Sequence, residues 1–458
     1  MKIMIDVESG LRPKELIDEI LSEKHGNIFT VHFGPKKMVV LAGYDIVKDA
    51  LVNHADDFGD RADIPIFRRL TGGHGIGFSH GEAWKVMRRF TLSTLRDFGM
   101  GKRTVEDSIL DELHPLIKHF ESHKGKPFNA RIILNSAVSN VICSIIFGKR
   151  FDYEDPTFLT LINLLAENIK LLGAPTVQLY NYYPALAGLF GAHKTVEGNV
   201  NQQVAFLQDF FEEHRKELDA NNVTGFIDAY LLKQEQESKN GSTHFNEKNL
   251  TYSTLDLFAA GTETTSTTLR WGLLLLMKYP EIQRKVHKEI DNVIKPGQVP
   301  KVEDRRNMPY TDAVLHEIQR FANILPLNVS RATNSDVHFR GYFIPKGTEV
   351  IPLLISVLYD KSQWETPYTF NPQHFLDEDG KFLRKDAFLP FSAGRRACVG
   401  ESLAKMELFL FFTGLLQRFT FHPPSGVTEA DLDLTAEVGF TLTPAPHCIC
   451  AVAREPMA

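Results

Sequence analysis

Phe391-Ser-Ala-Gly394-Arg-Arg396-Ala-Cys398-Val-Gly400 is the stretch on which the reading of this chain turns. It runs straight into Glu401-Ser-Leu403-Ala404-Lys-Met406-Glu-Leu408-Phe409, whose apolar residues recur at helical spacing, so Cys398 stands at a helix N-terminus. Unpaired backbone N–H groups, the positive end of the helix dipole and Arg396 all favour a thiolate there. On residue type alone such a sulfur is a nucleophile, a metal ligand or a buried helix-start cysteine.

The surrounding pattern, Phe-x-x-Gly-x-Arg-x-Cys-x-Gly, resembles the haem-binding loop of the cytochrome P-450 superfamily, the haem-thiolate monooxygenases. That resemblance implies a mainly α-helical fold with small β-sheets and a haem b (iron protoporphyrin IX) cofactor. It makes Cys398 the axial iron ligand and has Gly394 and Gly400 admit the backbone to the porphyrin.

The rest of the chain is compatible with this. Its 458 residues, 43% hydrophobic and 24% charged, suffice for a large core, and length alone suggests two or three domains. The resemblance implies one catalytic domain over 1–458. A net charge of −6 gives no support for nucleic-acid binding. Four cysteines, Cys143, Cys398, Cys448 and Cys450, make no disulfide framework and suit a reducing compartment. Cys448 and Cys450 alternate in an apolar run, which predicts side chains buried on one side of a strand rather than a metal pair. There is no run of about 18 apolar residues, and residues 1–26 are mixed and charged, so neither a spanning helix nor a signal peptide is expected.

Along the chain, a short helix is predicted at 13–25, then a hairpin of 28–33 and 37–41 turning at Gly34-Pro35, and a helix at 45–53. A Gly- and Pro-rich loop runs from Phe58 to Ser79. Its Gly72-Gly-His-Gly75-Ile-Gly77 misses the dinucleotide fingerprint and reads as a flexible loop beside a ligand. Helices are predicted at 81–98, 104–122, 130–147, 157–172 and 195–218, with an apolar but broken segment at Tyr180–Phe190 and a polar linker from Gln234 to His244. One long helix covers 249–279, followed by 281–294 and 309–323. Strands are predicted at 335–344 and 348–351 around Pro345-Lys346-Gly347, then at 418–422 and 440–453. The absence of alternating β and α segments argues against a dinucleotide-binding domain.

Within the long helix, Ala259-Ala260-Gly261-Thr262-Glu263-Thr264-Thr265 places glycine, hydroxyls and a carboxyl in an apolar setting. Such a segment is expected to distort the helix, and an acid beside an alcohol there can order water and relay protons. It resembles the superfamily's oxygen-activation motif, which implies catalytic roles for Glu263 and Thr264. Glu317-Ile-Gln-Arg320 reads locally as a surface ion pair. By resemblance it is the family's buried structural Glu-x-x-Arg, whose downstream third partner is here His374, in Pro372-Gln-His374-Phe375, instead of arginine. Trp84-Lys-Val-Met-Arg88 puts an indole N–H and a guanidinium on one helix face, and the resemblance assigns both to the haem propionates. Arg396, Arg61 and Arg331 are further propionate partners by the same resemblance, which is to vertebrate microsomal family 2 and extends from about Lys14 onward.

Members of that family usually begin with a membrane anchor; here a truncated form is expected, with Tyr180–Phe190 either dipping into a membrane surface or folding over the substrate channel. The implied reaction inserts one oxygen atom of O2 into a lipophilic substrate: a xenobiotic, fatty acid or steroid. By family position the pocket draws on Ile64 to Phe78, Phe258 and Ala259, Leu325 to Leu327, and Phe440 to Leu442. Electrons are implied to come from an NADPH-cytochrome P-450 reductase, with cytochrome b5 as a further donor, at the cytosolic face of the endoplasmic reticulum. Lys85, Arg88, Arg89, Arg96, Lys102, Arg103 and Arg395 supply a basic surface for it. A haem-thiolate isomerase or dehydratase, or a non-catalytic haem-binding protein, are the alternatives.

Overall fold

The computed structural model describes residues 22–100, 103–189, 191–239 and 244–454. The predicted helix at 13–25 therefore lies outside the described residues except for one turn, Glu23–His25. Phe190, Lys102 and residues 240–243 of the polar linker also lie outside them.

Strands β1 (Ile28–Phe33) and β2 (Lys36–Leu41) form the expected hairpin, from Ile28↔Leu41 to Phe33↔Lys36. Helix α1 (Tyr44–Lys48) continues as a π turn over Asp49–Asn53, and β3 (Asp60–Arg61) follows. The loop expected at 58–79 contains a helix, α2 (Pro65–Thr71). Pro65 occupies the first helical position, where its missing N–H costs nothing, and Gly72 ends the helix with a left-handed φ of 58°.

Then come α3 (Gly81–Asp97), α4 (Arg103–Ser122), α5 (Arg131–Phe147), α6 (Pro156–Gly173), α7 (Pro175–Tyr182), α8 (Ala192–Glu217), α9 (Phe226–Ser238) and α10 (Glu247–Lys278). Helices α7 and α9 correct the sequence reading. The first begins again on a proline at its first position, and the second absorbs Gln234–Ser238 of the predicted linker. The C-terminal part holds α11 (Pro280–Val293), α12 (Pro309–Ala322), α13 (Leu354–Leu358) and α14 (Glu401–Arg418).

The segment 335–344 is two strands, β5 (Val337–Phe339) and β6 (Tyr342–Ile344), after β4 (Arg331–Ala332). Arg340 and Gly341 take φ of 51° and 85°, the paired left-handed conformation of a tight hairpin turn. Strand β7 (Glu349–Pro352) joins a different sheet, of order β1-β2-β7-β4-β3. Near the C-terminus, β8 (Phe419–His422) pairs with β11 (Cys450–Ala453), while β9 (Ala436–Val438) pairs with β10 (Leu442–Pro444). The predicted strand at 440–453 is thus interrupted at Pro444, which has no N–H to continue a ladder. Cys448 lies outside β11 and is exposed whereas Cys450 is buried, so the two do not share one buried face.

The main core packs α10 between α5 and α14, with α4 and α12 against α14. Gly261 explains how closely α10 meets α5, because a Cβ there would come within 3.0 Å of Ile142 Cγ1. Contrary to the expected distortion, α10 is assigned as continuous α-helix through 259–265. The hydroxyls of Thr264 and Ser266 bond back to the carbonyls of Ala260 and Thr262 at 2.7 and 2.8 Å without breaking it.

Candidate functional site

A cavity opens between the middle of α10 and the loop that leads into α14. One wall is Ala397–Gly400, and the opposite wall is α10 from Tyr252 to Thr268. The loop is fixed from several sides. Cys398 N donates to Phe391 O at 3.0 Å, and Arg88 Nη2 donates to Ala397 O at 2.6 Å. Gly394 has φ 71°, and a Cβ on it would lie 1.7 Å from Leu51 O, so packing on the π turn requires a glycine here. Gly400 caps α14 at φ −95°, and a Cβ there would sit an ordinary 3.9 Å from Cys398 Sγ.

The electrostatics of Cys398 differ from the sequence argument. The sulfur is exposed, facing the cavity, yet desolvation by the surrounding protein pushes the thiol up and Glu401 adds to this; N–H groups of Gly400 and Glu401 and the charge of Arg88 oppose it. Arg396 is engaged with other groups. Its Nε and Nη2 donate to Gly59 O and Ser79 O at 2.9 and 2.8 Å, and its guanidinium lies over the Trp84 ring at 3.6 Å.

Arg88 also lies over that indole, at 5.8 Å, and Arg61 and Arg331 are near enough to repel both; Arg61, Arg88 and Arg396 line the cavity, whereas Arg331 does not. Arg61 donates to Gly77 O and Val329 O, both at 2.9 Å, and Arg331 donates to Ser392 Oγ at 3.3 Å. None of the hydrogen bonds made by Arg61, Arg88, Arg331 or Arg396 goes to a carboxylate. Burial and mutual repulsion pull Arg61 down to about 10 and Arg396 to about 8, and hold Arg331 well below its usual value. Trp84 Nε1, Arg396 Nη1 and Arg331 Nε are buried without a partner. So dense a group of desolvated donors is costly alone and suits an anion with several acceptor oxygens. The two propionates of a haem, with a thiolate across the same cavity for its iron, fit this arrangement.

On the opposite wall, Thr264 Oγ1 is 2.7 Å from Ala260 O. Glu263 is 5% exposed, and its Oε1 accepts from Thr267 Oγ1 at 3.0 Å and from Thr441 Oγ1 at 3.4 Å. Burial raises its carboxyl despite Thr267, Arg270 and Arg131. The acid and the alcohol both line the cavity but make no direct hydrogen bond to each other. A second acid was missed from sequence. Glu407 is buried, also lines the cavity, accepts from Thr265 Oγ1 at 3.2 Å, and has its other oxygen unpartnered. Burial raises it well above the carboxylate range. The available signal was an acid between Met406 and Leu408-Phe409, inside an apolar helical run. Asp256 was also missed: it accepts from Ile76 N and Gly77 N at 2.7 and 2.9 Å and pins the glycine loop over the cavity.

Phe258, Ala259 and Leu325 line the cavity, as do Phe67, Phe78 and Phe440. Leu327 and Leu442 do not, which corrects their assignment as pocket residues. Leu327 is 51% exposed. The main chain of Leu442 is bonded to Ile324 O and to Trp271 Nε1, at 2.9 and 3.0 Å.

Behind the loop, Arg320 and Glu317 form a fully buried two-point pair, both contacts at 2.7 Å. His374 Nδ1 approaches Glu317 Oε2 at 3.2 Å, so histidine takes the third place. Of the basic surface residues, Arg89, Arg96 and Arg103 are exposed, whereas Lys85 pairs with Glu82 and Arg395 with Asp56. Arg88 is committed to the loop.

The sequence profile described as Cytochrome P450 matches residues 4–451. The chain is 53% identical to Cytochrome P450 2K6 of Danio rerio over 444 residues, 95% of this chain and 86% of that protein. It is 53% identical to Cytochrome P450 2K1 of Oncorhynchus mykiss over 436 residues, with the same coverage of both. Against Cytochrome P450 2C5 of Oryctolagus cuniculus it is 49% identical, over 94% of this chain and 88% of that protein.

Proposed function

The chain belongs to the cytochrome P450 family and is a monooxygenase, and from that premise we propose which of its residues carry the reaction. The observation that supports the reading most is one cavity with Cys398 on one wall, a desolvated cluster of donors at its edge and the Glu263–Thr264 segment opposite. Cys398 Sγ would supply the thiolate ligand to the haem iron. Trp84 Nε1 and the guanidinium groups of Arg61, Arg88, Arg331 and Arg396 would hold the propionates of haem b, with Gly400 beside the sulfur. When bound, the haem supplies oxygen activation, promoted by electron release from the thiolate.

The chain's own contribution on the opposite wall is proton handling. Burial raises the carboxyls of both Glu263 and Glu407, which favours the protonated form of each inside the protein. Thr264 Oγ1, which rests donating to Ala260 O, would release that hydrogen into the cavity as it accepts one from a water whose proton these acids replace. Phe258, Ala259 and Leu325, with the stacked rings of Phe67 and Phe78 at 3.6 Å, exclude water and hold a lipophilic substrate. Electrons come from an NADPH-dependent reductase, with cytochrome b5 as a second donor, docking on the exposed face of Arg89, Arg96 and Arg103.

We place the protein at the cytosolic face of the endoplasmic reticulum. No single helix among the described residues is long and apolar enough to cross a membrane. Contact with the bilayer would come from exposed Leu179, Tyr183 and Leu186 in and after α7.

Replacement Cys398→Ala is expected to abolish the red-shifted carbonyl band of the reduced protein, and survival of that band would remove the ligand assignment. Thr264→Ala is expected to keep the band and divert electrons to peroxide. Unchanged coupling of electrons to product would end its role as proton donor.

A further inference from the structure

Far from the cavity, the last turn of α4 carries His119, and the chain leaves the helix through His123. Their spacing of four places both imidazoles on one face, the arrangement by which a helix presents two nitrogens to one ion. The two Nε2 atoms lie 3.3 Å apart, the ring centroids 5.1 Å apart, and the ring planes meet at 66°. We propose that His119 and His123 form a bidentate site for a divalent transition-metal ion of the zinc, nickel and copper class, unconnected with the haem.

The spacing carries the proposal. Two nitrogens each about 2.0–2.1 Å from a tetrahedral ion lie about 3.3–3.4 Å apart, with ring centroids about 5.2 Å apart. A head-on hydrogen bond between the same rings at the same nitrogen separation would hold the centroids about 5.6 Å apart. The observed 5.1 Å corresponds to rings that converge on a point beside the N–N line.

Pre-organisation adds to this. His123 is stacked on the buried Phe128, centroids 3.9 Å apart and planes within 2°, and Phe128 is bridged to Ile449. One ligand is therefore held by the sheet at the C-terminus before any ion arrives, which lowers the ordering cost of binding. No group of three or more His, Cys, Asp or Glu residues suited to an ion is present among the described residues, so water completes the coordination. Imidazole ligands with water select Zn2+, Ni2+ or Cu2+ over Mg2+ and Ca2+. Neither histidine lines the cavity, so occupancy should fasten the end of α4 to the Phe128 segment without touching turnover.

The test is calorimetric titration of the untagged holoenzyme with zinc chloride, then with magnesium chloride, at neutral pH. One zinc site is expected in the wild type, absent for magnesium. Its affinity should fall by at least about tenfold in His119→Gln and in His123→Gln, as for a chelate reduced to one ligand. His114→Gln should leave it unchanged, since that exposed histidine of the same helix is turned to Leu110 O at 2.8 Å. The haem spectrum and metal-free unfolding midpoint should match the wild type in all three variants. A wild-type isotherm that superimposes on that of His119→Gln would overturn the proposal, as would equal loss in His114→Gln.

Discussion

Two buried clusters of charge flank the cysteine loop, and they are built on opposite plans. Around Glu317 the charges are of opposite sign and every strong donor is used. Arg320 reaches both oxygens of Glu317 and also the carbonyls of Leu358, Pro367 and Thr369, while Glu317 accepts in addition from Asn371 N and faces His374. Around Trp84 four guanidinium groups repel one another, Asp60 and Asp256 act on them only through space, their bonds go to neutral oxygens, and three donor atoms are left over. A cluster that is complete within the chain can only be structural. A cluster that repels itself and leaves donors unpaired is completed by something from outside the chain, and its cost is recovered when that anion binds.

The sharpest way to break this comparison is to open the closed cluster. Arg320→Ala leaves the carboxylate of Glu317 buried and uncompensated, and is expected to cost about 3–5 kcal/mol of stability with or without haem. Denaturant unfolding of the haem-free protein reads this directly. A wild-type midpoint would mean that the ring braces nothing.

How much of this was legible beforehand depends on how local each feature is. The Cys398 loop, the Glu263–Thr264 segment and the Trp84–Arg88 pair are each a handful of consecutive residues, and their family patterns are carried whole by the sequence. Glu407 was legible only as an acid inside an apolar run, because its partner is Thr265, a residue on another helix. Leu327 failed for a different reason. It was assigned to the pocket with Leu325 by family position, but the chain turns there, with Asn328 N bonded to Leu325 O and Asn328 at φ 56°, and Leu327 is left exposed. One proline misled: Pro65 was read as part of a loop over 58–79 and is a helix start.

The open cluster should respond in the reverse sense to the closed one. Arg396→Gln removes one of four mutually repelling cations, and its amide can keep one of the two carbonyl bonds. The haem-free protein is therefore expected to unfold within about 1 kcal/mol of the wild type. Haem retention should suffer instead. One charge-assisted hydrogen bond to a propionate is worth about 1.5–3 kcal/mol, so transfer of haem to a scavenging apoprotein should accelerate on the order of 10- to 100-fold. If the haem-free variant loses as much stability as Arg320→Ala, the two clusters do not differ in kind.

The smallest test isolates a single neutral donor. Trp84 Nε1 is buried and has no acceptor, so Trp84→Phe removes no hydrogen bond from the haem-free chain and relieves an unsatisfied group. The ring remains to carry the Arg396 guanidinium that lies over it at 3.6 Å, although phenyl is a weaker partner than indole. Stability without haem should thus change little, while the bond to the propionate, about 0.5–1.5 kcal/mol for a typical hydrogen bond, is lost with haem. Haem transfer is expected to be roughly two- to tenfold faster. A Trp84→Phe protein that keeps haem as firmly as the wild type would show that the indole serves as a platform for Arg396. The open cluster would then bind its anion through guanidinium groups alone.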